Sequence, residues 1–294
     1  MAGQSRLQLA KVQIARAFDS ENIRVFWPSD ISRILEQNRK TWHLAQNTTT
    51  ARFRKFLLDK TDLRLEYLEP ANHPSAVGIT RYVWKDASPY EIALSMKHGA
   101  YLSHGTAMFL LGLTKQSPER IYVNSEQSPK LGSGHLTQEG IHRAFAGKQR
   151  ESQFVFKFQD SEALLLWGKH TGQLGVVDLD HSGINLRVTG LERTLIDLAV
   201  RPSYAGGIYE VLAAYRRAKE RISMRALLSI LKKLDYVYPY HQAVGFYMQR
   251  AGFTKSQYKG LKNIGLNFDF YLAYSLKDKQ YDPEWRLYFP KGLD

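Results

Sequence analysis

Apolar residues recur at close to helical spacing through residues 6–19, where Leu7, Leu9, Val12, Ile14, Ala15 and Phe18 predict an opening helix. Pro28-Ser29-Asp30 then has the form of a cap, and Ile31, Ile34 and Leu35 place a second helix behind it. Beyond the polar stretch Glu36 to Thr41, Trp42 and Leu44 offer core anchors. Asn47-Thr48-Thr49-Thr50 opens a third helix with Phe53, Phe56 and Leu57 on its apolar face and Arg52, Arg54 and Lys55 towards solvent. The period then changes from helical to two. Leu63-Arg64-Leu65-Glu66-Tyr67 and the run Val77, Ile79, Arg81, Val83 predict a hairpin around the turn-rich stretch Pro70 to Ser75. Three helices and a hairpin in this order predict a winged helix-turn-helix.

Asp86-Ala87-Ser88-Pro89 reads as a domain boundary, with Ser88 capping the next helix and Pro89 at its first position. The pattern beyond it is mixed. Helices are expected near 89–98, 103–111 and 136–146, and strands at Arg120–Val123, Phe154–Phe156 and Leu174–Val177. From Thr189 the period is helical almost to the end, in segments 189–200, 205–220, 223–234 and 239–251, before strand-like Leu266–Phe270 and Trp285–Phe289. The fold class is therefore α+β: a winged helix-turn-helix at 1–88, then a domain at 89–294 that is mixed α/β and later largely helical.

Composition narrows the function. The chain has 294 residues and no cysteine, which removes disulfides, thiolate metal sites and cysteine nucleophiles together. No apolar run approaches the roughly 18 residues of a membrane span, and Arg6, Lys11 and Arg16 interrupt any signal-peptide core, so a soluble cytoplasmic protein with no membrane partner is expected. The 41 Lys+Arg against 28 Asp+Glu give a net charge of +13, which favours polyanionic partners, nucleic acid first. Residues 1–64 alone carry twelve Lys/Arg against six Asp/Glu.

Two segments carry a family resemblance. Tyr101-Leu102-Ser103-His104-Gly105-Thr106-Ala107 through Gly112-Leu113-Thr114, with Pro118-Glu119-Arg120-Ile121-Tyr122-Val123 after it, resembles the central signature of the abortive-infection AbiEi antitoxin family. Leu191-Glu192-Arg193-Thr194-Leu195-Ile196-Asp197-Leu198, followed by Arg201-Pro202 and Ala205-Gly206-Gly207-Ile208, resembles the second signature, and Trp285-Arg286-Leu287 fits the family's end. Leu111 departs from the histidine often found before Gly-Leu-Thr. The resemblance covers about 100 to 290. It implies an antitoxin of the type IV toxin–antitoxin and phage-defence class, whose winged helix represses its own operon. It also implies a functional partner, a nucleotidyltransferase-type toxin that the antitoxin opposes without a stable complex.

The third helix is the sharpest candidate for contact with double-stranded DNA. Asn47, Thr48, Thr49, Arg52 and Lys55 are suited to read base edges in the major groove of an operator. Arg39 and Lys40 in the turn, and Arg64 and Arg81 on the wing, are expected to hold phosphates. A second basic tract from Tyr215 to Lys233, including Arg216, Arg217 and Lys219, has seven cations and one anion before Asp235, and reads either as solvated helix or as a second phosphate surface.

No catalytic set is complete, so no enzyme, metal or cofactor is expected. Ser103 and His104 are adjacent on a helix, about 100° apart, which reads as a cap and a packed histidine rather than a nucleophile with its base. Gly132-Ser133 and the pair Asp178/Asp180 stand too far apart for a nucleotidyltransferase motif, and Leu131-Gly132-Ser133-Gly134 lacks the Lys-Ser/Thr of a P-loop. Arg193 and Asp197 are i, i+4 neighbours and read as a structural ion pair, worth about 0.2–0.5 kcal/mol if exposed. The alternatives are a stand-alone transcriptional regulator, a magnesium-dependent nucleic-acid-processing enzyme using Asp178 and Asp180, and an adaptor that sequesters a toxin.

Overall fold

The computed structural model describes residues 5–71, 76–129 and 135–293. It is mixed α+β and divides into two compact units, residues 1–98 with 154–162, and residues 99–153 with 163–294. The boundary expected at residue 88 thus lies inside the first unit, which also takes back a later strand.

In the first unit the opening helix is interrupted at Ala10, giving α1 (Arg6–Leu9) and α2 (Lys11–Ser20). Leu7, Ile14 and Phe18 are buried as the stripe predicts, but Leu9 and Val12 are 69% and 62% exposed. After β1 (Val25–Phe26) comes α3 (Pro28–Asn38), whose first turn is closed by the Asp30 carboxylate accepting from the Trp27 amide at 2.8 Å. Ile31, Ile34 and Leu35 are its buried face. α4 (Thr50–Lys60) starts at Thr49, whose hydroxyl accepts from the Arg52 amide at 3.2 Å, and buries Phe53 and Leu57.

β2 (Leu63–Pro70) and β3 (Ile79–Trp84) form the expected hairpin, and β1 pairs with β3. β6 (Val155–Phe158) adds to the other edge of β2, so this unit holds the antiparallel order β1-β3-β2-β6. Phe18 stacks on Trp84 at 4.9 Å and meets Phe26 edge-on at 5.2 Å, closing the core between helices and sheet. α5 (Pro89–Leu94) carries the cap read from sequence, Ser88 and Glu91 bonding reciprocally, but it ends four residues before the expected residue 98.

The second unit opens with β4 (Tyr101–Leu102), α6 (His104–Leu110), β5 (Ile121–Glu126) and α7 (Gln138–Ala146). β7 (Ser161–Gly168), β8 (Val176–His181) and β9 (Ile184–Thr189) complete a mixed sheet in the order β7-β5-β4-β9-β8. Its parallel pairs are β5 with β7 and β4 with β9. α8 (Leu191–Val200) follows, then a short 3-10 turn at Pro202–Ala205. Gly206 and Gly207, at φ +83 and +102, reverse the chain into α9 (Ile208–Ala218). α10 (Met224–Leu234), α11 (Tyr240–Arg250) and α12 (Lys255–Lys262) pack around a large apolar core. A three-stranded sheet ends the chain, with β12 (Leu287–Pro290) between β10 (Phe270–Tyr271) and β11 (Lys279–Asp282). Among the described residues no helix is long and apolar enough to cross a membrane.

Candidate nucleic-acid interface

α3 and α4 are joined by an eleven-residue connection, 39–49, that Arg39 holds together. Its Nη1 donates to the carbonyls of Ala45 and Thr48, each at 3.0 Å, while Nη2 meets Glu36 Oε1 at 2.5 Å. This bond and the pairing with Glu36 keep the guanidinium more basic than usual and the Glu36 carboxyl below its ordinary range. Arg39, expected on a phosphate, is therefore committed to the turn and its charge is matched. Trp42 and Leu44 are buried beneath the same connection, with His43 at φ +50 between them. Lys40 is exposed.

The expected groove readers separate into three groups. Thr48 is only 6% exposed and is corrected to a core position, because the turn folds it under α4. The Thr49 hydroxyl is occupied as the helix cap. Asn47, Arg52 and Lys55 are exposed, and neither cation has an ion-pair partner among the described residues. Arg54, read as solvent-facing, instead lies 5.9 Å from the centre of the Tyr82 ring.

The hairpin alternates as predicted, but its apolar face is covered for only half its length. Leu63, Leu65 and Tyr67 share that face with Tyr82 and Trp84 across the register. Leu63 is buried whereas Leu65 and Tyr67 are each 54% exposed, since the helices cover only the near end of the strands. Arg64 is exposed and donates to the Lys85 carbonyl at 2.8 Å, with Asp86 3.4 Å away. Arg81 is a second correction. It is 4% exposed, stacked 3.5 Å over the Trp27 ring, and donates to the carbonyls of Ser95, Thr80 and Met96. Burial lowers its pKa to about 10. Its partners at 95 and 96 are in the turn that ends α5, at the C-cap and the next residue, so Arg81 clamps the helix end and is not placed to touch a phosphate.

In the second unit, Arg216, Arg217, Arg225, Lys232 and Lys233 are exposed and Lys219 is half-buried. The tract is not uniformly solvated. Arg217 donates to the Leu113 carbonyl and Arg221 to that of Leu111, both at 2.9 Å, where α6 ends. Sequence spacing carried no signal for these long-range bonds.

The other chemistry is corrected in two places. The Ser103 hydroxyl does not cap α6 but lies 2.9 Å from His104 Nδ1. The angular argument fails because His104 sits at φ +50 rather than in helical geometry, which turns the two side chains together. Both are buried, at 1% and 9% exposure, and burial lowers His104 to about 3, so the ring is neutral. Tyr204 packs edge-on to it at 5.4 Å. The Arg193–Asp197 pair exists at 2.8 Å but is buried on both sides, and Arg193 also donates to the Leu174 carbonyl at 2.7 Å. It ties α8 to the approach of β8 and is not a surface pair.

The two signature blocks meet in space, since Leu102 of β4 pairs with Val188 of β9 immediately before the second block. Asp178 and Asp180 are exposed on one face of β8, opposite Arg187 and Asn185. No group of three metal-ligating side chains is found among the described residues. The glycine-rich stretch 131–134, with Gly132-Ser133, lies outside the described residues.

No protein-family model matches the chain and no curated protein is similar to it. Among solved structures it is similar to the RV2827C protein from Mycobacterium tuberculosis, at 14% identity and a TM-score of 0.54, over 95% of this chain and 90% of that one. At that identity the likeness concerns the fold.

Proposed function

We propose that this chain is a DNA-binding antitoxin-type regulator that represses its own operon, working in the cytoplasm beside a nucleotidyltransferase-type toxin. The observation that carries the reading is the arrangement of residues 11–84. Two helices, α3 and α4, are set by a rigid connection. A hairpin follows them, and β1 pairs with the strand of that hairpin that returns, an order that supports a winged helix-turn-helix. On α4, Arg52 and Lys55 are exposed cations without ion-pair partners among the described residues, preceded by exposed Asn47. Repression then follows from occlusion of the promoter. Lys40 and Arg64 contribute phosphate contacts that set register. The exposed cations of 216–233 form a second, sequence-independent phosphate surface.

Opposition to a toxin without a stable complex rests on the resemblance of the signature blocks at 101–123 and 191–208. Titrating a labelled fragment of the upstream promoter against random duplex tests the first part. The expected result is tighter binding of the promoter fragment at equal salt. Equal affinity for both duplexes, or cleavage on adding magnesium, would overturn it. Rescue of growth on co-expression with the toxin encoded in the neighbouring reading frame tests the second part.

A further inference from the structure

The exposed half of the hairpin face has a surface that the charged contacts above leave unused. Leu65 and Tyr67 are neighbours on one face of β2, each 54% exposed. That face is the one turned towards α4, because Leu65 lies opposite Tyr82, and the Tyr82 ring receives the Arg54 guanidinium from α4. Two residues, Thr61 and Asp62, link α4 to β2, so the strand returns alongside the helix.

Tyr67 also has a backbone contact. Its ring lies against Gly78, the residue before β3, where a methyl group on Gly78 would overlap it. An aromatic ring packed against a glycine backbone is a platform restrained on one side. The hairpin therefore holds an exposed apolar pair on the face that meets α4, the helix that carries exposed Arg52 and Lys55.

We propose that Leu65 and Tyr67 form an apolar contact strip that lies on the sugar and base edges of the DNA duplex flanking the groove entered by α4. This rests on the DNA-binding reading and adds to it a contact of a different kind. The cations Arg52, Lys55 and Lys40 on the adjoining helix and turn select a polyanion as the occupant over an apolar protein face. Within a duplex, the surfaces that take apolar side chains are thymine methyl groups, sugar faces and unstacked base steps. Such a contact releases no counterions, so it adds affinity that salt does not remove, in contrast with phosphate contacts.

The test uses the full chain and the upstream promoter duplex, with affinity measured by fluorescence anisotropy at several salt concentrations. The double variant Leu65→Ser with Tyr67→Ser is expected to bind about tenfold more weakly, with an unchanged slope of log affinity against log salt. Tyr67→Phe should keep wild-type affinity, because the ring face makes the contact. Arg52→Glu is the comparison, and should lose both affinity and slope. Leu65→Ser alone, which leaves the platform over Gly78 intact, should give a part of the loss and so separates contact from folding. Unchanged affinity in the double variant, with Arg52→Glu still defective, overturns the strip and leaves the DNA-binding reading standing. Loss of a protein dimer in the double variant, with DNA affinity intact, also overturns it and assigns the strip to a second copy of the chain. Absence of promoter preference in the wild type overturns both.

Discussion

Replacing Arg81 with alanine separates a structural arginine from a DNA-contacting one. The side chain makes three bonds to carbonyls, to Thr80 at 2.7 Å, Ser95 at 2.8 Å and Met96 at 3.2 Å, and stacks on Trp27. The quantity the variant reads is the state in which those carbonyls are left. Two lie in the turn just beyond α5, at its C-cap and the next residue, and the site is 4% exposed, so water replaces the arginine poorly. An unsatisfied buried carbonyl costs about 1–3 kcal/mol, and loss of the stacked cation adds about 1 kcal/mol. Arg81→Ala should therefore destabilise the first unit by about 3–7 kcal/mol. Urea unfolding of the full chain, followed by tryptophan fluorescence, would show this as an earlier transition. Arg81→Lys should recover little, since one ammonium cannot bond Ser95 and Met96 while covering Trp27. Below that transition, promoter affinity and its salt slope should match wild type. Wild-type stability with a shallower salt slope would refute the clamp and return Arg81 to the phosphate backbone.

Three further outcomes follow from the same structure. Reversing Arg52 and Lys55 to glutamate should leave the fold intact, as both are exposed, and weaken promoter binding by more than the roughly 1–3 kcal/mol that one bidentate base pairing supplies; unchanged affinity would move recognition elsewhere. Changing Arg216, Arg217 and Lys219 together to alanine should weaken binding to every duplex alike and make the salt slope shallower by about 0.9 for each phosphate no longer neutralised, with an unchanged slope refuting the second surface. His104, held neutral in the fold by burial near a pKa of about 3, ionises in the unfolded chain near its ordinary value. The unfolded state then takes up the extra proton as pH falls through 6.5, so stability at pH 5 should be about 2 kcal/mol lower than at pH 7.5. His104→Asn should flatten that dependence in unfolding scans, and an equal dependence in both proteins would count against it.

Local patterning was legible where one residue's neighbours decide its fate. Phe53 and Leu57, the Ser88 cap and the hairpin of β2 and β3 are matters of period and spacing, and they stand as read. The failures are long-range. Nothing in the sequence near Arg81 marks it as the partner of Ser95 and Met96, and nothing near Thr48 says that the connection folds it inward. Leu65 and Tyr67 follow the alternation but outrun the helices that would cover them, a fact of element length that periodicity does not contain. At the candidate interface this changes the composition. Arg52, Lys55 and Asn47 remain at the surface, Arg39 and Arg81 become architecture, and the apolar strip enters. Among the elements the pattern does not give are the strands β7 and β9 and the helix α12: Ala163–Leu166 is a continuous apolar run without alternation, Ile184–Thr189 runs directly into a helical stripe, and Lys255–Lys262 buries only Tyr258 and Leu261.

The return of β6 to the first unit bears on how this polypeptide is made. Its pairing with Glu69 and Pro70 means that a fragment ending at residue 88 or 98 would leave one edge of β2 bare. An open edge of this kind invites pairing with another chain. During synthesis the last segment of the unit, 154–162, emerges 64 residues after residue 98. At ~5–20 residues per second that is an interval of roughly 3–13 s. Through that interval the nascent first unit waits on a strand encoded inside the sequence of its neighbour, and ribosome-associated chaperones have their opportunity there.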